Sequence, residues 1–234
     1  MKKSDHCALS GDGALDFALE QKFPVCAPKQ LISEEAKLKM KTGCLSYMEY
    51  VKYFYEGKPT EETQDTVSDV AMDCNDQFEC AVSTGTKDTQ DTVSAVAMDC
   101  NGQFACALST GGVAMKSKGR VGDAPMVGCG GCANKTGAAT VTGFGEAIIK
   151  VTLAREVVFN MEKGQDAQES VENGLKKMEE LVRGNGGAIA IDKHGNFGKH
   201  FTTNMMVWAS IKDNNLESGI EKGKVEREPV ENSE

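Results

Sequence analysis

The stretch DTVSAVAMDCNGQFACALSTGG, Asp91 to Gly112, decides the fold. From Thr92, T-V-S-A-V-A-M-D alternates with the period of two that marks a half-buried strand. The turn Cys100-Asn101-Gly102-Gln103 follows, and Asn-Gly is the strongest short hairpin signal because both positions accept positive φ. F-A-C-A-L-S-T, Phe104 to Thr110, is then the returning strand. Three glycine-flanked polar clusters come next: S-T-G-G (Ser109–Gly112), G-R-V-G-D (Gly119–Asp123) and T-G-F-G-E (Thr142–Glu146). His6, His194 and His200 are scattered, so no Ser-His-Asp set is plausible. The leading chemistry is a threonine, Thr92, that takes its own amine as base once the Asp91–Thr92 bond is cut.

The chain has 234 residues, 40% of them apolar, enough for one packed domain or slightly more. A net charge of −9 argues against nucleic acid, whose phosphates need a basic footprint. No apolar run approaches the roughly 20 residues of a membrane helix. Ser4-Asp5-His6 interrupts any signal-like start after Lys2 and Lys3. A soluble cytoplasmic protein is the expectation. Nine cysteines are spread singly apart from Cys129-Gly-Gly-Cys132. One C-x-x-C supplies half of a four-ligand zinc shell, and no second pair accompanies it, so no metal or organic cofactor is expected.

Upstream, Asp12–Lys22 carries apolar residues at helical spacing. Phe23–Pro28 is an extended link, and Ser33–Lys41 has the cap and charge order of a helix. The aromatic run Tyr47–Tyr55 extends or ends that helix. Thr63–Gly85 and Thr89–Gly111 then form a tandem repeat of period 26, differing at four positions: Asp69/Ala95, Asp76/Gly102, Glu79/Ala105 and Val82/Leu108. Two copies are too few for a solenoid. The first copy carries carboxylates where the second has alanines, and has the weaker turn Asn75-Asp76. The second copy is therefore the better core candidate. Thr66 repeats the surroundings of Thr92 but has no G-R-V-G-D after it, and reads as a decoy.

Downstream, Ile149, Leu153, Val157 and Met161 fall on one stripe of a helix. A second helix starts at Asp166 with Glu169 three residues on, buries Val171, Leu175, Met178 and Val182, and ends at Asn185-Gly-Gly. Ala188–Asp192 and Phe197–Thr202 are strands joined by a turn at Lys193–Asn196. From Asn214 the chain is polar and charged, and 221–234 is expected as a disordered acidic tail. Hairpin, helix, helix, hairpin is an α+β order.

These motifs, with G-C-G-G-C-A-N and G-G-A-I-A-I-D, resemble the β-subunit of the plant-type L-asparaginases, the isoaspartyl peptidases among the N-terminal nucleophile hydrolases. T-T-N-M-M-V-W-A and K-D-N-N-L-E-S-G-I resemble the animal members in particular. The likeness covers Thr92 to about Ile220, and residues 4–41 resemble the end of the family's α-subunit. It implies a four-layer αββα sandwich, incomplete at its front because no H-G-G-A-G-like or N-A-G-x-G-S-like motif is found. The implied parts are an α-subunit remnant (1–60), a linker with a partial duplicate of the nucleophile hairpin (61–91), and a catalytic β-subunit (92–220). It implies autocleavage between Asp91 and Thr92, although asparaginase-type members usually have Gly-Thr there. It also implies a homodimer of αβ units acting on a small substrate, a β-aspartyl dipeptide or L-asparagine.

Carried over by motif, Thr92 is the nucleophile and Thr110 resembles the threonine that orients it. Arg120 and Asp123 resemble the residues that hold the substrate's α-carboxylate and α-ammonium, with Val121 and Gly122 between them. Thr142 and Gly143 resemble the oxyanion and substrate loop, continued by Phe144 and Gly145. The chemistry suits these roles. A freed α-amine, with a pKa of about 7.7–8.0, keeps a neutral fraction able to accept the hydroxyl proton. A guanidinium fork matches a carboxylate, and glycines let backbone amides reach an oxyanion. Each residue also has a plainer reading: Thr92 as a strand former, Arg120 with Asp123 as a surface ion pair, Thr142 as a helix cap. Two other functions stand beside hydrolysis. One is a catalytically inactive relative acting as a binding or scaffold protein. The other is an acidic interaction module built on the repeat, the only reading that expects deletion of Thr63–Asp88 to abolish function.

Overall fold

A computed structural model describes residues 11–23, 25, 79–84, 92–113, 116 and 120–229. The chain divides into two compact units, Met1–Cys44 and Leu45–Glu234. In the first, helix α1 spans Gly11–Glu20. The helix expected over Ser33–Lys41 and the aromatic run Tyr47–Tyr55 lie outside the described residues, as do Thr66, Asp91 and 230–234.

The second unit mixes helix and sheet. The hairpin read from the sequence is present as β2 (Thr92–Met98) and β3 (Phe104–Thr110), in register from Thr92 opposite Thr110 to Met98 opposite Phe104. Its turn is closed by Asp99, whose Oδ1 accepts from the Asn101 and Gln103 amides at 2.9 and 2.7 Å. Gly102 there takes φ +71°.

This hairpin joins a six-stranded sheet of order β10-β9-β8-β1-β2-β3. The added strands are β1 (Glu79–Thr84), β8 (Met205–Lys212), β9 (Asn215–Glu221) and β10 (Glu226–Pro229). A four-stranded sheet of order β4-β5-β6-β7 faces it, made of β4 (Gly131–Ala133), β5 (Gly137–Gly143), β6 (Gly186–Asp192) and β7 (Phe197–Phe201). Between the sheets, Val96, Met206 and Trp208 meet Ala138, Ile189, Ile191 and Phe201. The outer face of the smaller sheet is covered by α2 (Gly145–Val151), α3 (Leu153–Glu162) and α4 (Ala167–Val182). There Leu153, Val157, Leu175 and Met178 pack with Ala139, Val141, Ala188 and Ala190. β5 and β6 are therefore buried on both faces, which is why they read as runs of small and apolar residues rather than as clean alternation.

Four features differ from the sequence reading. The segment 61–91 is not simply a linker: Glu79–Thr84 is an interior strand, paired antiparallel to β2 on one edge and to β8 on the other. It copies β3, and its register on β2 is one step out from that of β3. Glu79, the carboxylate that argued against burial, stands at the strand's first position, opposite Met98 at the end of β2. Deleting Thr63–Asp88 would split the sheet, so that deletion tests folding and does not isolate the repeat-based reading.

The polar stretch after Asn214 is not wholly unstructured either. β10 lies within the expected tail, 221–234, and pairs with β9 from Glu226 opposite Ser218 to Pro229 opposite Asn215. Low apolar content argues against a core position but not against an edge strand, which needs only backbone pairing. Here Glu217 adds a contact to Arg227 at 2.8 Å.

The continuous stripe from Ile149 to Met161 is broken at Thr152, which takes the left-handed conformation (φ 48°, ψ 55°). A β-branched residue there is costly. The break frees amides that the preceding loop uses: Arg155 N donates to Gly128 O at 2.8 Å and Ala154 N to Cys129 O at 3.2 Å. The end of α4 falls earlier than expected, at Val182. Arg183 closes it in the left-handed region, its amide donating to Glu179 O at 2.9 Å. Its start is as expected, with Asp166 Oδ1 accepting from Glu169 N at 2.8 Å.

The β6–β7 turn rests on Asp192. Its Oδ1 accepts from the amides of His194 (2.8 Å) and Asn196 (3.0 Å), and its Oδ2 from Asn196 Nδ2 at 3.1 Å. Burial alone would raise this carboxyl, but the hydrogen bonds outweigh it and hold the pKa below its ordinary value. A lowered folded pKa gives stability that is present above the unfolded value and lost as pH falls through the folded one. Asp192→Ala should therefore cost about 1–3 kcal/mol at neutral pH. In urea melts the difference from wild type should shrink as pH drops through the acid range. A pH-independent difference would contradict the assignment.

Candidate active site

The two sheets stack so that equivalent steps along β2 and β5 meet. Val96 and Ala138 share the inter-sheet core. Two residues back along β2 and two on along β5, Thr140 Oγ1 donates to Ser94 Oγ at 2.9 Å, fully buried. A further step of two carries Thr92 and Thr142 to the same end of the inter-sheet space. Both are buried, at 5% and 7% exposure.

At that end the Thr92 hydroxyl donates to Thr110 Oγ1 at 3.4 Å. This is long for O–H···O and leaves room to tighten. Thr110 Oγ1 also accepts from Gly112 N at 3.0 Å. The antiparallel register sets this contact by placing Thr92 directly opposite Thr110.

Gly112 leads on to Arg120: a methyl group at Gly112 would lie 3.4 Å from Arg120 Nη1. The guanidinium is gripped by Glu146, with Nε and Nη2 donating to Oε1 and Oε2, both at 2.9 Å. A side chain at Gly145 would sit 2.8 Å from Arg120 Nη2 and 3.0 Å from Asp123 Oδ1, so glycine there lets both charged groups approach the start of α2. Asp123, at 9% exposure, has its carboxyl pushed up by burial. Its own backbone amide and the Arg120 charge pull it partly back, and Glu146 pushes it further up.

Thr142 does not cap α2. The cap position is Phe144, which makes no side-chain cap bond. Gly143 holds φ +135°, and a side chain there would strike Asn185 O at 2.6 Å. The amide of Phe144 donates to Asn185 O at 3.3 Å, and its ring is buried in the helix-side core. Val121 points outward at 56% exposure, and a side chain at Gly122 would lie 3.0 Å from Arg120 Nη1. The expected residues thus gather in two adjoining groups, Thr92 with Thr110, and Arg120 with Asp123 and Gly145. Glu146 was quoted in the T-G-F-G-E motif but given no task. Its one local signal is an acid in the first turn of a helix; the arginine it grips lies 26 residues upstream. Ser94 was missed because a buried serine on a strand's inward face looks like ordinary packing.

Against this geometry, a family model described as Asparaginase matches residues 1–220. The chain belongs to the asparaginase family. Among its similar members is the Isoaspartyl peptidase/L-asparaginase of Danio rerio, 37% identical over 235 residues, covering 99% of this chain and 64% of the relative. The protein of the same name from Homo sapiens is 35% identical, covering 94% of this chain and 62% of the relative. A Drosophila pseudoobscura pseudoobscura protein, described as a probable isoaspartyl peptidase/L-asparaginase, is 31% identical, with 98% and 65% covered. The chain spans a little under two thirds of the length of these asparaginase relatives. Among its described residues no group of three or more His, Cys, Asp or Glu could hold a metal ion. No described helix is long and apolar enough to cross a membrane.

The raised Asp123 pKa has a measurable consequence. The folded state holds this proton more tightly than the unfolded one, so stability falls as pH rises from the ordinary carboxylate value, about 3.9, through the raised one. Asp123→Asn removes that loss. Its thermal midpoint above the window should equal or exceed wild type, with a shallower slope in acid. A variant less stable than wild type throughout would mean the carboxylate is held mainly by its partners and not against burial.

Proposed function

We propose that this chain is an N-terminal nucleophile hydrolase of β-aspartyl dipeptides and L-asparagine, activated by cleavage between Asp91 and Thr92. The observation that carries the reading is the placement of Thr92. It is the buried first residue of β2, its hydroxyl beside Thr110, within one glycine step of the Arg120–Asp123 cluster. The names of the relatives point to the same two substrates.

Before cleavage the Thr92 nitrogen is an amide and accepts no proton. After cleavage it is a primary amine that can take the hydroxyl proton as Oγ1 attacks the substrate's β-carbonyl. Thr110 orients that hydroxyl. The tetrahedral oxyanion is stabilised by donors at Thr142 and Gly143. Collapse expels the amine, or ammonia from asparagine, which takes the proton, and leaves an ester on Thr92. Water, deprotonated by the same amine, hydrolyses the ester to release aspartate. Arg120 binds the substrate's α-carboxylate and Asp123 its α-ammonium, together selecting a free amino-acid head group. Val121, Gly122, Phe144 and Gly145 shape the loops around it.

A fourth layer, of helices over the outer face of the six-stranded sheet, completes the αββα sandwich in this reading. The working form is a cytoplasmic homodimer of cleaved pairs. The test is intact mass after incubation, followed by assay of the split protein on β-Asp-Leu and L-asparagine. A new chain beginning at Thr92, with turnover that follows its appearance, is the expected result. Split protein that turns over neither substrate would leave only a binding role.

A further inference from the structure

Lys116 has no part in the chemistry above, yet it stands at the same glycine. Its Nζ donates to Gly111 O at 2.6 Å, one residue beyond Thr110. A methyl group at Gly112 would lie 2.7 Å from Lys116 Nζ and 3.4 Å from Arg120 Nη1. Two cations thus crowd one point beside the nucleophile pair. They differ in depth: Lys116 is exposed, whereas the Arg120 side chain is 12% exposed and already gripped by Glu146.

The two proposed substrates differ in charge in a matching way. Both carry the α-carboxylate of the aspartyl head group. Only the dipeptide carries a second carboxylate, on the residue that leaves. If the head group is seated inward against Arg120 and Asp123, the leaving residue is directed toward solvent. The exposed Lys116 ammonium has three donors, of which the Gly111 carbonyl takes one.

Resting on the hydrolase reading, we propose that Lys116 is a specificity-determining residue that binds the terminal carboxylate of the leaving amino acid and so favours dipeptides over asparagine. The contact forms only with a substrate that has that group, so it acts on selectivity between substrates and not on the bond-breaking step they share.

The experiment compares β-Asp-Leu, β-Asp-leucinamide and L-asparagine on processed wild type, Lys116→Met and Lys116→Arg. Amidation removes only the terminal charge. Wild type should prefer β-Asp-Leu to its amide by about tenfold in kcat/KM, as a partly exposed charge-assisted hydrogen bond allows. Lys116→Met should bring that ratio close to one and lower the β-Asp-Leu to asparagine ratio by a similar factor. Lys116→Arg should restore most of both. A preference that survives Lys116→Met overturns the proposal, and so does an equal loss on all three substrates, which would assign Lys116 to the shared α-carboxylate. Wild type that is split but turns over none of them overturns the hydrolase reading itself, a result readily told apart from a flat selectivity ratio.

Discussion

Thr92→Ala is expected to remain one uncut chain and to hydrolyse neither β-Asp-Leu nor asparagine above background. The same hydroxyl serves twice in the proposed chemistry, first on the Asp91 carbonyl and then on the substrate. Losing a nucleophile removes the covalent route entirely, so the fall in turnover should be at least about 10⁴-fold. The fold should survive. Thr92 is the first residue of β2, and among the described residues its Oγ1 makes one long contact, to Thr110. Thr92→Ser is the informative companion, keeping the hydroxyl while losing the methyl that fixes its rotamer. It should split slowly and turn over weakly. Mass spectrometry and ammonia release read the two steps separately. An alanine variant that still divides at Asp91, or an uncut protein that turns over substrate, would remove Thr92 from the mechanism.

Arg120→Ala should lower kcat/KM by about a hundredfold, the scale of a lost charge-assisted contact to the substrate carboxylate. It should also lower stability, because the Glu146 carboxylate, 30% exposed, would lose the partner that takes both of its oxygens. A fully buried pair broken from one side costs about 3–5 kcal/mol. Partial exposure of Glu146 brings the expectation nearer 1.5–3. Arg120→Lys keeps the charge and loses the fork, so it should fall between wild type and alanine in both measures. Glu146→Gln should mainly raise KM, since the arginine remains but its aim is loosened. If Arg120→Ala shifted the melting temperature and left kcat/KM unchanged, the arginine would be a structural tie and the plainer ion-pair reading would stand, with Glu146 as the partner in place of Asp123.

The parts of this fold that could be read from the chain are those whose signals are local. Asn101-Gly102 marked the hairpin turn, Asp166 the start of α4, and Lys193–Asn196 the turn that Asp192 closes. Thr152 gave no sign of its break, because the carbonyls that reward it, Gly128 and Cys129, lie more than twenty residues upstream. Glu79–Thr84 was misjudged for a related reason. Its carboxylate at Glu79 argued against burial, it otherwise differs from β3 only at Val82, and nothing within six residues tells an edge strand from an interior one. Arg120 and Asp123 were legible as charges with a task, but Glu146 as the arginine's partner was not, since the pairing spans 26 residues and exists only in three dimensions.

The interior place of β1 bears on what scission would do to the molecule. Its backbone is laced to β2 along one side and to β8 along the other, while the proposed cut falls just upstream of β2. A nick there would sever the covalent thread and leave the weave intact. The upstream piece could come away only by opening two ladders at once, so the liberated threonine would stay fixed in the sheet that positions it.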